Sequence, residues 1–426
     1  MIKTFDCSEI AVEDIILREQ QTINEAVEKT VAEILEDVRR NGDEALFRYC
    51  EKFDGARLSS LLVSAEEIDE AYAAADEAFI ETLEKAKANI VAFHSRQKRN
   101  GFTLSENDGI VLGQRVIALE RVGLYVPGGT AAYPSSVLMD TIPAKIAGVS
   151  EIAIATPPDK MGKINPAILT AAKVAGVTTI YKMGGAQAIA ALAYGTESVK
   201  KVDKIVGPGN IYVSTAKRRV FGSVDIDMVA GPSEILVLAD ETANADYVAA
   251  DMLSQAEHDK NSSAVLVCDS ASLAKKVSES LEGQIEKLPR KEIARASVDN
   301  NGKIIVVKNL KEAVRISNLI APEHLELCVD DPFSLLSLVV NAGCVFMGKN
   351  VPEALGDYFA GTNHTLPTGG TARFSSPLSV DDFIKTSNYV YYTKKALSEV
   401  KDDVASFAKI EGLDGHAKSV LIRFDE

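Results

Sequence analysis

Apolar strand-like runs alternate with helical segments over most of the sequence from about residue 115 onward. The run SEIAIATPP is followed by the helical NPAILTAAKVAGV, and TTIYKMGG is followed by AQAIAALAYG. Strands that alternate with helices in this way form parallel sheets joined by helical crossovers. The runs are apolar without strict alternation, which is typical of strands covered on both faces. The sequence therefore predicts an α/β fold.

A second strand–helix series begins with EILVLAD and ends near AGCVFMG. The 426-residue length also exceeds the usual size of one compact domain, so we expect at least two. Residues 22–100 are predicted to be helical and, having no sheet of their own, to pack on the second series. Within them, residues 64–97 are predicted to form one long helix that opens with a capping box of Ser64 and Glu67.

The charge and composition of the chain exclude several classes of protein. A net charge of −15 disfavours binding to nucleic acid or to an anionic membrane surface. The acidic N-terminus has no apolar core of a signal peptide, and no apolar run approaches the roughly 20 residues of a spanning helix. The five scattered cysteines contain no CxxC pair, which favours reduced thiols. We expect a soluble, cytoplasmic protein.

The segment DMLSQAEHDK, residues 251–260, carries polar residues on the apolar stripe of a predicted helix. Gln255 and His258 continue the face formed by Val248 and Met252, since helical neighbours lie three and four residues apart. Burying an unpaired polar group costs roughly 1–3 kcal/mol. These side chains must therefore find partners or bind a ligand.

Two further polar features suggest chemistry. The irregular segment 355–382 is rich in Gly, Thr, Ser and Pro, and irregular segments of this length are usually functional or disordered. Because it contains Asp357 and His364, we favour a functional segment. Glu323 and His324 directly precede a predicted strand, where they could form a general acid/base pair or a solvated turn. Since adjacent residues of a regular strand face opposite ways, a shared site requires an irregular corner.

Histidine and aspartate side chains of distant segments can together bind zinc, but their spacing here does not single out one set. His258, Asp357, His364 and His416 are the candidates, whereas His94 is interpreted as a surface or partly buried helix residue. Strand ends followed by glycine, as in VGPGN, suit a nucleotide-binding crevice or simply a tight turn. No GxGxxG follows a strand, so these residues alone leave dinucleotide binding open.

Taken together, six segments resemble the histidinol dehydrogenase family, in order and at compatible spacing over essentially the whole chain. Any one of them would be a weak signal, but the combination is specific. The segments are RVGLYVPGGTAAYPSSVLMDTIPAKIAGV, VGPGNIYVSTAKR, DMVAGPSEILVLAD, SQAEHD, APEHLEL and LGDYFAGTNHTLPTGGTARFSSPLSVDDF.

The resemblance implies a fold of two α/β domains with incomplete Rossmann-like parallel sheets and small N- and C-terminal segments. The expected division is an N-terminal segment 1–21, a first domain of 22–120 with 234–376, a second domain of 121–233 on the NAD side, and a tail of 377–426. It also implies a homodimer in which the tail of one subunit completes the site of the other, so that Glu411 and His416 would serve the partner.

The implied activity is the oxidation of L-histidinol through histidinal to L-histidine, the last step of histidine biosynthesis, with two NAD and one zinc per subunit. The resemblance assigns catalysis to Glu323 and His324, with His324 expected to be neutral at physiological pH. The implied zinc ligands are Gln255, His258, Asp357 and His416. The implied substrate-binding residues are these four with Ser233, His324, His364 and Glu411. The implied NAD contacts are Tyr125, Gln187 and Asn210.

Three other functions remain as alternatives at this stage. A related zinc- and NAD-dependent dehydrogenase could act on another hydroxylated substrate, such as a sulfonated diol, and His364 and Glu411 should discriminate against it. A zinc hydrolase could use the same metal site beside Glu323 and His324 to activate water. A non-catalytic binding protein would tolerate substitution of that pair.

Overall fold

The computed structural model describes residues 2–9, Val12, Ile15, 25–128 and 132–425. Two compact units divide the chain: Met1–Gln97 with Leu119–Phe383, and Lys98–Ala118 with Ile384–Glu426. Most of the predicted N-terminal segment 1–21 lies outside the described residues, as does Gly129 of the predicted glycine turns. No helix among the described residues is long and apolar enough to cross a membrane.

The first 97 residues contribute one strand and a series of helices. These are β1 (Lys3–Asp6), α1 (Glu25–Tyr49), a π-helix (Cys50–Asp54), α2 (Ala65–Ala74), α3 (Glu77–His94) and a 3₁₀ turn (Ser95–Gln97). The predicted capping box at the start of α2 is confirmed, with reciprocal bonds between Ser64 and Glu67. The single long helix is wrong: Ala75 is extended, and the Asp76 carboxylate accepts the Ala78 N–H to begin α3. His94 is fully buried, so the expected surface or partly buried position is wrong.

The second unit contains an antiparallel sheet and two helices. Its elements are β2 (Phe102–Leu104), β3 (Ile110–Ala118), and, at the end of the chain, β14 (Ile384–Tyr392), α14 (Lys394–Ile410) and α15 (Asp414–Leu421). The strand order is β14-β3-β2. Residues 98–118 thus pair with the predicted tail, although the sequence-based division placed them with the first domain.

A five-stranded parallel sheet occupies the middle of the chain. Its elements are β4 (Arg121–Tyr125), α4 (Pro134–Ala147), β5 (Glu151–Thr156), α5 (Pro166–Ala175), β6 (Thr179–Lys182), α6 (Gly185–Tyr194), β7 (Lys204–Val206), α7 (Ile211–Val220) and β8 (Asp225–Ile226). The strand order is β6-β5-β4-β7-β8. The chain therefore proceeds to one side of β4 and then returns to the other, which makes the end of β4 a topological switch point.

The N-terminal helices pack on this five-stranded sheet. Val31 and Leu46 of α1 share a buried cluster with Ile189 and Leu192 of α6. Ile90 of α3 belongs to a second buried cluster, on the α4 and α5 side. The sequence-based division grouped residues 22–97 with the other sheet, because strand and helix patterns do not reveal which of two apolar faces a helix covers.

A six-stranded parallel sheet forms the rest of the first unit. Its elements after β8 are β9 (Glu234–Ala239), α8 (Ala245–Ala256), β10 (Ser263–Cys268), α9 (Ala271–Ile285), α10 (Lys291–Asn301), β11 (Lys303–Val306), α11 (Leu310–Ile320), β12 (His324–Cys328), α12 (Phe333–Leu336), β13 (Cys344–Met347) and α13 (Glu353–Tyr358). The strand order is β1-β11-β10-β9-β12-β13, with buried apolar clusters on both faces. The predicted α/β fold with two parallel sheets is confirmed.

Short helical turns interrupt the predicted irregular segment 355–382. α13 covers its start, and 3₁₀ turns follow at Thr371–Arg373 and Val380–Phe383. The segment runs beside α4, since the Asn363 side chain donates to the Met139 carbonyl at 2.7 Å. The segment therefore contacts the body of the first unit.

Candidate active site and metal centre

Glu323 and His324 lie together at the amino end of β12. The N–H of Glu234, the first residue of the neighbouring β9, donates to Glu323 Oε2 at 2.8 Å. His324 Nδ1 lies 3.0 Å from the Glu234 carbonyl oxygen, and 3.7 Å from Glu323 Oε2. The main chain of Glu234 thus binds both side chains. Because a carbonyl oxygen only accepts hydrogen bonds, His324 carries its proton on Nδ1, and Nε2 is the basic atom.

The corner before β12 is irregular, as a shared site requires. Ala321 has a left-handed conformation with φ of 52°, immediately before Pro322. Glu323 precedes the regular part of the strand, which begins at His324. Both side chains are buried, with Glu323 7% and His324 3% exposed. The alternative of a solvated turn is therefore wrong.

Two carboxylates of α13 face His324 Nε2. Asp357 Oδ1 lies 3.7 Å from this nitrogen and Glu353 Oε1 lies 3.8 Å from it. The two carboxylates are four residues apart, so they project from the same face of the helix. Candidate ligand atoms of His324, Glu353 and Asp357 all lie within 4.8 Å of one another, a spacing that a metal ion could bridge.

Buried polar groups of α8 and β12 form hydrogen bonds with Glu353, the first residue of α13. The Ser254 hydroxyl of α8 donates to Glu353 Oε2 at 2.8 Å, and the Glu353 N–H donates to Glu326 Oε1 at 2.9 Å. Glu326, on β12, is fully buried. The sequence analysis did not identify Glu353 or Glu326 as site residues. The four-residue spacing of Glu353 and Asp357, which puts both on one helix face, was a signal that could have identified Glu353.

Gln255 lies on the buried face near the end of α8, as the apolar stripe predicts. The helix ends at Ala256, so the prediction that His258 continues this face within the helix is wrong: His258 lies in the turn that follows and is half-buried. Val248, Met252 and Gln255 are all buried. Gln255 Oε1 has no hydrogen-bond donor among the described residues, although it is inaccessible to solvent. A buried acceptor without a donor is costly, and a cation would relieve that cost. Burial lowers the pKa of His258, so the neutral, ligating form is favoured, while the charge of Asp357 opposes this shift.

His364 lies at the same site in the middle of segment 355–382. Its Nδ1 lies 3.0 Å from the Asp357 carbonyl oxygen, and its Nε2 lies 3.1 Å from the Ser136 hydroxyl of α4. Burial lowers the pKa of His364. The neutral ring therefore donates from Nδ1 and accepts from Ser136 at Nε2. Ser233 directly precedes β9, and its carbonyl accepts the Ser263 N–H at 3.0 Å.

Burial and neighbouring carboxylates shift the pKa values of Glu323 and His324. Burial raises the pKa of Glu323 to about 8. Burial would lower the pKa of His324, but the charges of Glu323, Asp357 and Glu353 outweigh this and raise it to about 10. Without a metal ion these charges favour a protonated His324, and the expectation of a neutral His324 stays a prediction for the zinc-loaded site. A cation bound by Asp357 would counteract the shift, because it would neutralise part of that negative charge.

Glu353 and Asp357 have opposite pKa shifts. Burial raises the pKa of Glu353 to about 7. Burial also acts to raise the pKa of Asp357, but His324 and His364 more than offset it and lower the pKa to about 2. Asp357 is thus the carboxylate that stays ionised at neutral pH, as a metal ligand must.

The three expected NAD contacts lie at the carboxyl edge of the five-stranded sheet. Tyr125 ends β4, the switch-point strand, and its hydroxyl accepts the Gly185 N–H at 3.0 Å. Gln187 lies in the first turn of α6 and is buried. Asn210 caps α7, with Oδ1 accepting the N–H groups of Tyr212 and Val213. Nucleotides commonly bind outside such an edge, near helix N-termini.

Glu411 and His416 belong to the second unit, separately from the other candidates. Glu411 caps the C-terminus of α14, and His416 lies in α15. Both are exposed in the single chain. Within the first unit, electrostatic interactions connect His258, His324, Asp357 and His364.

Comparison with known proteins places the chain in a family. A family model described as histidinol dehydrogenase matches residues 17–424. The chain belongs to the histidinol dehydrogenase family. A histidinol dehydrogenase of Bacillus thuringiensis subsp. konkukian (strain 97-27) is 55% identical over 412 residues, 96% of each chain.

Further relatives cover almost the same length. A histidinol dehydrogenase of Listeria monocytogenes serovar 1/2a (strain ATCC BAA-679 / EGD-e) is 56% identical over 400 residues, 94% of this chain and 93% of the relative. The crystal structure of histidinol dehydrogenase from Elizabethkingia anophelis superposes with a TM-score of 0.93 at 40% identity. It covers 99% of this chain and 98% of the other, so the fold is that of the family throughout.

Proposed function

We propose that this chain oxidises L-histidinol through histidinal to L-histidine, in two NAD-dependent steps and with one zinc ion per subunit, as the last step of histidine biosynthesis. Family membership over residues 17–424 supports the substrate class. The observation that carries the chemistry is the buried Glu323–His324 pair, held by Glu234 beside Asp357. The remaining details are our inference from that geometry and from the resemblance.

The donor set suits a zinc ion. Gln255 Oε1 lacks a donor among the described residues, His258 is favoured in its neutral form, and Asp357 stays ionised. We assign these three as ligands, with His416 of the partner subunit as the fourth. Nitrogen and oxygen ligands of this kind are those that zinc prefers. When bound, zinc would supply a positive charge that holds the imidazole and amine of the substrate and orients the reacting carbon.

His324 acts as the base in both oxidations. Its Nδ1–H is directed to the Glu234 carbonyl, so Nε2 receives the proton of the substrate hydroxyl. A substrate hydroxyl gives its proton to His324 twice, first from the alcohol and then from the hydrated aldehyde. His324 passes the first proton to solvent before it takes the second. When bound, NAD would supply the hydride acceptor that each oxidation requires.

Glu323 activates the water that adds to histidinal. Its carboxyl group is close to His324 and receives a single main-chain hydrogen bond on Oε2. Its raised pKa of about 8 suits a group that takes up and returns a proton near neutral pH. His364 and Ser233, with Glu411 of the partner subunit, are proposed to contact the substrate.

Tyr125, Gln187 and Asn210 are proposed to contact NAD. Their position at the carboxyl edge of the five-stranded sheet, around the switch-point strand β4, supports this assignment. We further propose that the chain acts in the cytoplasm as a homodimer with shared sites. A dilute monomer with full activity would contradict the dimer proposal.

The experiment that tests the reaction measures NADH formed per L-histidinol consumed, by absorbance, with zinc-loaded and chelator-treated protein. We expect two NADH per substrate, and loss of activity on chelation that added zinc restores. No NADH from L-histidinol by zinc-loaded protein would overturn the substrate assignment. Ester or amide hydrolysis in place of NADH formation would instead support a zinc hydrolase.

A further inference from the structure

Lys217 of α7 carries a charged group into the interior of the first unit. Its side chain is 1% exposed. The Nζ atom donates to the Gly207 carbonyl oxygen at 2.9 Å and forms an ion pair with Asp227. Burying such a pair costs several kcal/mol per ion before their mutual attraction is counted, so stability alone is a weak reason for it. The hydrogen bond from Lys217 to the Gly207 carbonyl suggests that the ion pair holds the main chain at Gly207.

Asp227 binds the peptide group on the other side of Gly207. Its Oδ2 accepts the Gly207 N–H at 2.8 Å, and its Oδ1 accepts the Met228 N–H at 2.6 Å. The ion pair of Lys217 and Asp227 therefore holds both the N–H and the C=O of Gly207. We call this pair the Gly207 clamp.

Gly207 needs to be held, because its backbone conformation is unusual. Its φ is +110°, and a Cβ at this position would lie 2.1 Å from the Tyr125 carbonyl oxygen. Gly207 thus packs directly on the main chain of Tyr125 and opens the turn 207–210. This turn ends at Asn210, which caps α7. Tyr125 and Asn210 are two of the three residues that we propose to contact NAD.

We propose that Lys217 and Asp227 are positioning residues for NAD: the clamp fixes the turn 207–210 against β4 and so sets the affinity for the nucleotide. This inference rests on the NAD-dependent function proposed above. The clamp itself does not touch the nucleotide in this scheme. It keeps the turn in the binding-competent conformation, and apparent affinity falls in proportion to the population of that conformation.

A neighbouring carboxyl group belongs to the same buried region. Asp140 of α4 interacts electrostatically with Asp227 and Lys217, and its Oδ1 accepts the Thr365 hydroxyl at 3.1 Å. Burial, followed by repulsion from Asp227, raises the pKa of Asp140 to about 8. Near neutral pH the cluster therefore holds one positive and one negative charge, and the clamp is electrically balanced.

The test uses a double variant, Lys217→Met with Asp227→Leu. A single substitution would leave one buried charge unpaired and could prevent folding, whereas replacing a buried ion pair by apolar residues is often neutral or stabilising. Methionine is close in size to lysine, and leucine matches the branched shape of aspartate although it is larger. The variant loses both hydrogen bonds to Gly207. We expect a folded, zinc-loaded protein whose Kd for NADH and KM for NAD rise roughly tenfold, as when the competent population falls to about a tenth. The KM for L-histidinol should stay within about twofold, since the substrate contacts are intact.

Lys204 offers a control, because it lies on β7, the strand that directly precedes Gly207. Lys204, the first residue of β7, is 8% exposed and lies 3.1 Å from Asp225 Oδ2 and 3.3 Å from Asp382 Oδ1. It is a second buried lysine, at the opposite end of the strand that leads to Gly207. We expect Lys204→Met to lower the unfolding midpoint without changing the affinity for NADH.

NADH binding is measured directly, by the fluorescence of NADH with zinc-loaded protein in the absence of L-histidinol, alongside circular dichroism for the fold. Unchanged affinity in the double variant, or an equal loss in Lys204→Met, would overturn the positioning role. If the natural protein binds no NADH, the cofactor assignment fails and the inference fails with it. If it binds NADH but forms none from L-histidinol, only the substrate assignment is wrong, and the binding comparison still decides the role of the clamp.

Discussion

At the residue scale, the main chain of Glu234 fixes the positions of the two proposed catalytic side chains, Glu323 and His324. Its N–H fixes Glu323 and its carbonyl fixes His324. The two side chains therefore keep separate roles in spite of their adjacency. In the proposed mechanism, His324 Nε2 takes the hydroxyl protons and the Glu323 carboxyl group activates the water.

This separation predicts the kinetics of Glu323→Gln. The amide keeps the size of the side chain but does not activate water, so oxidation of histidinal should slow roughly 100-fold while oxidation of histidinol to histidinal slows much less. The two half-reactions are measured by single-turnover NADH formation from each substrate. His324→Gln is the matched comparison, and it should slow both half-reactions. Equal slowing of both by Glu323→Gln would contradict the role of Glu323.

The choice between two metal-ligand sets is also decided by single residues. We expect His258→Ala to lose both zinc and activity, because one of the proposed ligands is removed. Glu353→Gln should keep its zinc, since Glu353 is not in the proposed set. Zinc is measured by elemental analysis after dialysis, with circular dichroism to check the fold. Zinc loss in Glu353→Gln together with retention in His258→Ala would instead support the group of His324, Glu353 and Asp357.

The raised pKa of Asp140 predicts a pH dependence of stability. The folded state holds a proton on Asp140 up to about pH 8, whereas the unfolded state releases it near its ordinary value of 3.8. The stabilisation from this group is therefore complete below about pH 4 and is lost as pH rises towards 8. The free energy of unfolding should fall by up to about 1.4 kcal/mol per pH unit relative to Asp140→Asn.

Urea unfolding of both proteins at pH 5, 6 and 7 checks this prediction. The exposed Asp402 of α14 offers a control, as Asp402→Asn should leave the slope unchanged. A difference between the natural protein and Asp140→Asn that stays constant with pH would contradict it.

At the element scale, local signals in the sequence predicted local structure well. The capping box of Ser64 and Glu67 and the buried stripe of α8 are set by spacing within one helix. The capping box is confirmed, and the stripe is confirmed as far as Gln255. The break at Asp76 was missed because Ala75 does not itself interrupt the apolar periodicity. Asp76 was nonetheless a readable N-cap signal.

Features that depend on distant residues were not predictable in this way. The pairing of β3 with β14 joins residues more than 260 positions apart, and no local pattern indicates it. Likewise, Gln255 and His258 are recognisable as polar residues on an apolar face, but Glu353 becomes a site residue only when α13 is brought to His324. The resemblance supplied the ligand set that spacing left open.

The N-cap of α3 gives a prediction at this scale. Asp76→Ala removes the acceptor of the Ala78 N–H, and the loss of such a cap costs about 1 kcal/mol. We expect a lower unfolding midpoint and unchanged kcat and KM. Asp76→Asn, which keeps an acceptor, should behave like the natural protein. A loss of activity without a loss of stability would show that Asp76 has another role.

At the scale of the whole molecule, the proposed sharing of sites between subunits can be tested by complementation. His258→Ala and His416→Ala would each be inactive as homodimers. If His416 serves the partner, mixed dimers contain one site with both residues intact, so an equal mixture after subunit exchange should recover about a quarter of the natural activity. If each site is built from a single chain, the mixture stays inactive, and the shared-site proposal fails.

The strand order of the two parallel sheets has a consequence for synthesis of the protein on the ribosome. The five-stranded sheet uses only residues 121–226, whereas the six-stranded sheet begins with β1 at residue 3 and needs β13 at residues 344–347. Translation proceeds at roughly 5–20 residues per second, so the nascent N-terminus waits on the order of tens of seconds for its partner β11. The middle of the chain can fold during that interval, while β1 stays available to chaperones until the last strands emerge.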